Sequence, residues 1–226
     1  MSAANSFMDK EYKNNVRIRG TVMSVMAERG KTTVRLATSI GNERFVGRNK
    51  DVEVTSFYPE VVFYTSNIGE KLEAGRAHVD IIAHVHTWYN NTTERNVREI
   101  VGDNITKSER LLAEYSSDIS GEANSFNRPD DENIVTLDGV VHKIDIRSDN
   151  FGLLTIAVKD KRNPEHTDMC YVTCRGSFFV SKLKKAKKDD WAAFAGQIVT
   201  SFDEERRYRW MILCRDLEIE SKEEDA

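Results

Sequence analysis

Alternation of apolar and polar residues predicts β-strands along the first half of this 226-residue chain. The alternating segments are residues 15–26, 32–37, 78–89 and 97–105. A period of two is typical of strands with one buried face, and Gly20 inside the first segment predicts a bulge or a barrel corner. Residues 40–51 are basic and contain glycine, which predicts a loop. Pro59 splits the apolar run 52–64, so a third strand ending near Tyr58 can be followed by a short helix or by another extended piece.

The second half repeats this pattern. Residues 134–141, 153–159 and 169–175 alternate, with Gly139 at the position that corresponds to Gly20. Gly176-Ser177 predicts a helix N-terminus, and residues 178–188 have helical spacing. The order strand, strand, strand, helix, strand, strand is that of an OB-fold. We therefore predict an all-β protein of two tandem OB-folds, each a five-stranded Greek-key barrel with a short helix between strands three and four.

A repeated hairpin supports the division into two domains. Residues 78–105 form a unit of an apolar strand, an aromatic residue, a charged loop and a second strand, and residues 191–219 repeat it. A repeated two-strand unit predicts a repeated domain. The predicted boundaries are a flexible arm at 1–15, one OB-fold at 16–110, an acidic linker at 111–133, a second OB-fold at 134–219 and an acidic tail at 220–226.

The net charge of −4 is unevenly distributed. Counting Lys and Arg against Asp and Glu gives +2 for residues 16–110 and +3 for 134–217, but −5 for 111–133 and −4 for 218–226. Attraction to phosphate depends on the local field of the binding face, which salt screens within about 8 Å. An acidic total is therefore compatible with nucleic-acid binding.

The sequence contains no phosphate-binding glycine loop, no His-Glu-x-x-His and no Gly-x-Ser-x-Gly motif, so we predict neither an enzyme nor a cofactor.

Its three cysteines are predicted to be reduced thiols. His84 and His86 share a strand face without further ligands at suitable spacing, which favours surface histidines over a metal site. No apolar run approaches the roughly 20 residues that span a bilayer, so we expect a cytoplasmic protein.

Several short segments resemble the bacterial single-stranded DNA-binding protein family. They are Asn15, Val16, Ile18, Gly20 and Val22 in strand one, Leu36-Ala37-Thr38 in strand two, Trp88 at the exit of strand four, Ile100 to Ile105 in strand five, and in the second half Tyr171, Arg175, Phe178 and Asp216. The chain lacks the terminal Phe of the family's acidic tip, because it ends in SKEEDA. Two OB-folds per chain resemble the subset of the family in which a dimer supplies four folds.

The resemblance implies binding of single-stranded DNA in replication, recombination, repair or transfer of DNA, with replication or recombination proteins as further partners. Binding without sequence preference requires a cationic groove and exposed aromatic faces. The predicted binding residues are the cations Arg17, Arg19, Lys31, Arg35, Arg44, Arg48, Arg95, Arg175, Arg206, Arg207 and Arg209, and the aromatics Phe57, Tyr58, Trp88, Tyr89, Tyr171, Phe178, Phe202, Tyr208 and Trp210.

Three alternatives stay open. Tyr208 and Trp210 are equally compatible with barrel core or with an interface between the two folds. A tandem OB-fold can also serve as a protein-interaction or assembly module, because this barrel hosts many functions. Finally, the same stacking chemistry suits an RNA-binding protein.

Overall fold

A computed structural model describes residues 10–46, 49–65, 68, 72, 74, 77–107, 131–160, 162–205 and 207–222, with side chains described for all of these except 39–46 and 49–54. The described residues form eleven strands and one helix. Within them, no helix combines the length and the apolar character that crossing a bilayer requires.

Five strands of the first half close a ring. The strands of this half are β1 (Lys13–Glu28), β2 (Lys31–Val46), β3 (Asn49–Phe57), β4 (Glu60–Phe63), β5 (His78–Asn90) and β6 (Arg95–Lys107). β1 pairs with β2 and β5, β2 pairs with β4, and β5 pairs with β6. The parallel pair β4–β6 at Val62 and Val101 completes the barrel, and β3 extends from it as a hairpin with β2.

The second half repeats the ring. Its elements are β7 (Glu132–Ser148), β8 (Phe151–Lys159), β9 (Thr167–Arg175), α1 (Ser177–Lys185), β10 (Trp191–Phe202) and β11 (Tyr208–Glu220). β7 pairs with β8 and β10, β8 pairs with β9, and β10 pairs with β11. One parallel pair, β9–β11, again closes the barrel. Both halves thus have the five-stranded OB-fold ring that the pattern predicts.

The two barrels share one sheet because their first strands pair with each other. β1 and β7 are antiparallel from Lys13 opposite Asp138 to Arg19 opposite Glu132. Val16 lies opposite Val135 in this register, and these two residues hold equivalent positions relative to Gly20 and Gly139. The halves are therefore related by a local two-fold axis through this pair.

The same glycine is needed in each barrel. A Cβ atom at Gly20 would lie 2.3 Å from the carbonyl oxygen of Ala37, and one at Gly139 would lie 2.4 Å from that of Ala157. Both contacts are far below van der Waals distance, and both involve backbone that cannot rotate away. This close approach explains why glycine recurs at the corresponding position of each first strand.

An asparagine side chain extends the sheet at the same point of each barrel. The β1–β5 pairing ends at Val16 opposite Ala83, and beyond it Asn14 donates to the Val85 carbonyl (2.7 Å) and accepts from its N–H (2.9 Å). In the second barrel Asn133 makes the same two bonds to Ile198, at 2.7 and 2.8 Å. We call each of these arrangements an asparagine clamp. The clamp residue of the first barrel is Asn14, one position before the Asn15 of the family resemblance.

Several strand boundaries differ from the sequence prediction. Residues 40–46 and 49–51 are strands rather than the predicted loop, because β2 runs to Val46 and pairs with β3, while residues 47 and 48 lie outside the described residues. After Pro59 the chain is extended, as β4, rather than helical. β7 begins at Glu132 and β11 ends at Glu220, so both strands extend past the predicted limits of the second domain. Most of the predicted linker and tail, residues 108–130 and 223–226, lies outside the described residues. α1 ends at Lys185, and the segment that would hold the corresponding helix of the first half, 64–77, is described only in part. The domain boundaries themselves stay a prediction.

Replacing Asn133 with alanine should lower the free energy of unfolding by about 2–4 kcal/mol, because the buried N–H and C=O groups of Ile198 lose their partner. Urea denaturation measures this change. Asn96→Ala is the matched control, since Asn96 is exposed on β6. Equal effects of the two substitutions would contradict the structural role of the clamp.

Candidate nucleic-acid interface

The β10–β11 hairpin of the second barrel reaches across to the first barrel. Tyr58 N–H donates to Thr200 Oγ1 (2.8 Å), Glu60 N–H donates to the Tyr208 hydroxyl (3.2 Å), and that hydroxyl donates to the Tyr58 carbonyl (3.2 Å). The guanidinium of Arg35 lies 5.5 Å from the centre of the Tyr208 ring. Burial raises the pKa of Tyr208 above its ordinary value. Tyr208 therefore lies at the interface between the barrels, the alternative that the sequence left open.

Trp210 occupies a similar position. The guanidinium carbon of Arg98 on β6 lies 4.4 Å from the centre of the Trp210 ring, and Arg98 donates to the Trp210 carbonyl. Trp210 is partly buried against the core. Burial lowers the pKa of Arg98. Arg98 of the first barrel and Trp210 of the second therefore form a cation–aromatic pair that joins the two barrels.

The β5–β6 hairpin reaches the second barrel in the same way. Thr87 N–H donates to Asp168 Oδ1 (2.8 Å) on β9, and Thr87 Oγ1 accepts from Met169 N–H (2.7 Å). Next to this contact, Trp88 is half-buried and stacks on His86, with ring centroids 5.3 Å apart. Trp88 thus has one face covered by an imidazole, which limits the surface that it offers to a base.

His84 does not lie on the surface, contrary to the sequence expectation. It is 6 % exposed, and its Nδ1 lies 3.1 Å from Asp103 Oδ1 on the neighbouring strand β6. Arg162 of the second barrel also pairs with Asp103. The buried imidazole is accommodated here because the Asp103 carboxylate gives its Nδ1 a hydrogen-bond partner.

Four predicted aromatic residues are exposed. Tyr89 and Phe202 are both 57 % exposed and lie at the ends of β5 and β10, where each hairpin turns. Tyr171 on β9 is 41 % exposed, and Phe178 in the first turn of α1 is 63 % exposed. Lys182 Nζ lies 4.7 Å from the centre of the Phe178 ring. These side chains offer ring faces next to cations, which is the combination that stacking on single strands requires.

Most of the predicted cations are paired with carboxylates. Arg17 and Arg19 both pair with Asp80 and Glu132, Lys31 pairs with Glu99, and Arg35 pairs with Glu60. The hydrogen bond from Arg17 is the largest influence on the pKa of Asp80, which lies below its ordinary value. Arg207 and Arg209 pair with Asp203, at 2.8 and 3.1 Å. A DNA phosphate would have to replace these carboxylates. Each ion pair therefore reduces the binding free energy that a phosphate contact with the same cation can gain.

Arg95 and Arg175 are exposed and form no ion pair with another described residue. Arg95 begins β6 beside the hairpin turn, and Arg175 ends β9 two residues before α1. They are the predicted cations that the described structure leaves available for phosphate.

Two predicted aromatic residues, Phe57 and Tyr58, do not present an exposed ring, and three predicted cations lie wholly or partly outside the described residues. Phe57 is 9 % exposed and belongs to the core, so its ring is covered by neighbouring apolar side chains. Tyr58 contributes its backbone to the contact with the second barrel, and its side chain is half-buried. Arg48, Arg206 and the side chain of Arg44 lie outside the described residues.

Comparison with known proteins identifies a shared fold. The chain matches the crystal structure of the wild-type single-stranded DNA binding protein from Thermus aquaticus with a TM-score of 0.64 and 16 % identity, over 96 % of this chain and 97 % of that one. A deletion mutant of the same protein matches with a TM-score of 0.60 and 17 % identity, over 94 % and 96 % of the two chains. This chain has their fold. No family model and no curated protein sequence matches it.

Sequence reasoning did not identify Arg98, Asn14 or Asp168 as residues of this region. Arg98 and Asp168 acquire their roles from partners in the other barrel, and no local pattern encodes that contact. Asn14 did carry a signal, because Asn14-x-Val16 and Asn133-x-Val135 have the same spacing.

Replacing Tyr208 with phenylalanine should lower the free energy of unfolding by about 0.5–1.5 kcal/mol, because the hydroxyl that joins the barrels is lost while the ring is kept. Thermal or urea unfolding measures this difference. Tyr89→Phe is the control, since Tyr89 is exposed at the hairpin end. A stability of Tyr208→Phe equal to that of the wild type would show that the hydroxyl makes no net contribution.

Proposed function

We propose that this chain binds single-stranded DNA with little sequence preference, by aromatic stacking and phosphate neutralisation and without catalysis. The proposal places it in DNA replication, recombination, repair or transfer, at the nucleoid in the cytoplasm, as a member of the single-stranded DNA-binding protein family. This chain shares its fold over almost its whole length with the Thermus aquaticus protein, whose name states that it binds single-stranded DNA. That likeness supports the proposal of the same ligand.

The exposure of Phe178 and Tyr171 is the observation that carries the proposal. Burying a Phe side chain stabilises a protein by about 1.5–3 kcal/mol, so a large ring left in solvent contributes little to folding. Phe178 packs edge-on against Phe179, whose ring is partly buried on the core, and Lys182 Nζ lies 4.7 Å from the centre of the Phe178 ring. Arg175 precedes Phe178 by three residues in the sequence. An exposed ring supported by Phe179, with Lys182 beside it, suits a base and its neighbouring phosphate.

Exposed rings and cations also occur together at the hairpin ends. Tyr89 is next to Asn90, which pairs with Arg95, and Phe202 pairs with Tyr208, which lies between Arg207 and Arg209 in the sequence. Phe202 contacts the Tyr208 ring edge-on at 6.2 Å. Because Tyr208 also contacts the first barrel, the strand path that we propose follows both barrels rather than one. Two such chains would present four OB-folds, and we propose a homodimer on this basis. Replication or recombination proteins are its proposed protein partners.

We expect tight binding to oligothymidylate whose affinity falls as salt rises, with a slope of log K against log[salt] of about −0.7 for each phosphate neutralised. Quenching of tryptophan fluorescence measures the binding, and a sizing column run with and without the oligonucleotide measures the stoichiometry. Micromolar or weaker affinity at low salt would contradict the proposal and favour a protein-interaction module. Preference for the matched oligouridylate in competition would instead indicate an RNA-binding protein.

Replacing Phe178 with alanine should weaken binding to oligothymidylate by roughly tenfold, the size of one lost stack, with little change in thermal unfolding because the ring is exposed. Ile146→Ala is the matched control, since Ile146 is an exposed apolar residue on β7 outside the predicted site. If both variants bind as tightly as the wild type, Phe178 does not contact the strand.

A further inference from the structure

Three side chains with metal-binding atoms meet where the β5–β6 hairpin contacts the second barrel. His86 lies on β5, Asp168 lies on β9, and His166 lies in the turn before β9. One ligand atom from each residue lies within 4.8 Å of the others. The two imidazole rings have centroids 4.9 Å apart. Residues distant in the sequence therefore form one cluster that depends on both barrels.

The distances fit coordination of a single small cation. His86 Nδ1 and His166 Nε2 lie 3.2 and 3.1 Å from Asp168 Oδ1. A metal ion bound at about 2.0–2.2 Å from nitrogen and oxygen ligands separates neighbouring ligand atoms by roughly 3–3.5 Å. All three ligand atoms lie within 4.8 Å of one another, so rotation of the imidazole rings would bring them toward one shared ion.

Asp168 is suited to hold a cation because its carboxylate is 0 % exposed and its orientation is fixed. Thr87 N–H donates to Oδ1 (2.8 Å) and Asn14 Nδ2 donates to Oδ2 (3.2 Å). Asn14 is itself held by its clamp to Val85. Hydrogen bonds of this kind orient ligands in metal sites. A buried carboxylate also requires positive charge nearby, and the ionisable partners around it are the two imidazoles.

His86 supplies a second, independent indication. Its Nδ1 atom is buried and makes no hydrogen bond with any described residue, although Asp168 Oδ1 lies 3.2 Å away. A buried polar atom without a hydrogen bond is costly, and a coordinated metal ion would satisfy it. The stack of His86 on Trp88, with 28° between the ring planes, holds the imidazole in this orientation.

We propose that His86, His166 and Asp168 bind one divalent transition-metal ion, with Zn²⁺ the best match to two imidazoles and one carboxylate. Three protein ligands leave at least one position for water. The ion would join the first barrel to the second, because its ligands come from β5 on one side and from the β9 region on the other. It would also fix the imidazole that supports Trp88. The proposal does not depend on DNA binding.

The test titrates the full-length chain, freed of metal with a chelator, with Zn²⁺ alone and with Co²⁺ alone. We expect one equivalent of Zn²⁺ in competition with a chromophoric chelator, visible absorption from bound Co²⁺, and a thermal unfolding midpoint that rises with Zn²⁺ concentration. His166→Ala should weaken Zn²⁺ binding by at least tenfold. His142→Ala is the matched control, because His142 is exposed on β7, and it should bind Zn²⁺ as the wild type does.

Loss of binding in His166→Ala supports the site if this variant keeps the wild-type midpoint in chelator. Should it fail to fold, His86→Gln provides the second ligand variant, with the same expected loss. Absence of Zn²⁺ binding below millimolar concentration in the wild type overturns the proposal, and so does equal binding by His166→Ala and His142→Ala. The cluster would then be held by the contacts of the two imidazoles with the carboxylate alone. No nucleic acid is present in the titration, so its failure would leave the proposed function untouched.

Discussion

The antiparallel pairing of β1 with β7 is the constraint on which the arrangement of this protein depends. Val16 and Val135 face each other in the register, and both are fully buried. Each first strand therefore has to serve its own barrel and its neighbour's at once. The β1–β5 and β7–β10 pairings end at Val16 and Val135, while β1 and β7 continue to pair with each other. Just beyond these ends, the asparagine clamps satisfy the backbone groups of Val85 and Ile198. Buried backbone groups must be paired, so the clamps follow from the shared sheet.

Much of the barrel could be predicted from the sequence because each strand has one face in the core. The predicted inward face of β5, which includes Val79, Ile81 and Val85, is buried throughout. The correspondence of Gly20 and Gly139 also has a physical basis, since each glycine allows a neighbouring carbonyl to approach. The β2–β3 hairpin could not be predicted in this way. Its residues 40–46, IGNERFV, carry no clear alternation of apolar and polar positions, so backbone pairing alone identifies them as a strand.

Tyr89 and Phe202 were predictable from their positions at strand ends, and Tyr171 and Phe178 from the family resemblance, but the surroundings of the other candidates were not. Tyr208 and Trp210 each contact the opposite barrel, at sequence separations that no local pattern encodes. Trp88 stacks on His86 of its own strand. Charge counts by segment give the net sign of each half, but they do not show which cations are available to bind phosphate. Arg17 and Arg207 are cations in the count, yet carboxylates from β5 and from the hairpin loop already neutralise them.

The sharing of one sheet has a consequence for how copies of this chain can meet. In many sheet proteins an unpaired strand edge is the surface through which identical subunits associate. Here β1 has β5 on one side and β7 on the other along residues 16–19, and β7 is enclosed in the same way by β1 and β10 along residues 135–138. The chain is thus already an internal dimer of its barrel. Assembly into larger particles must use surfaces other than the edges of these two strands.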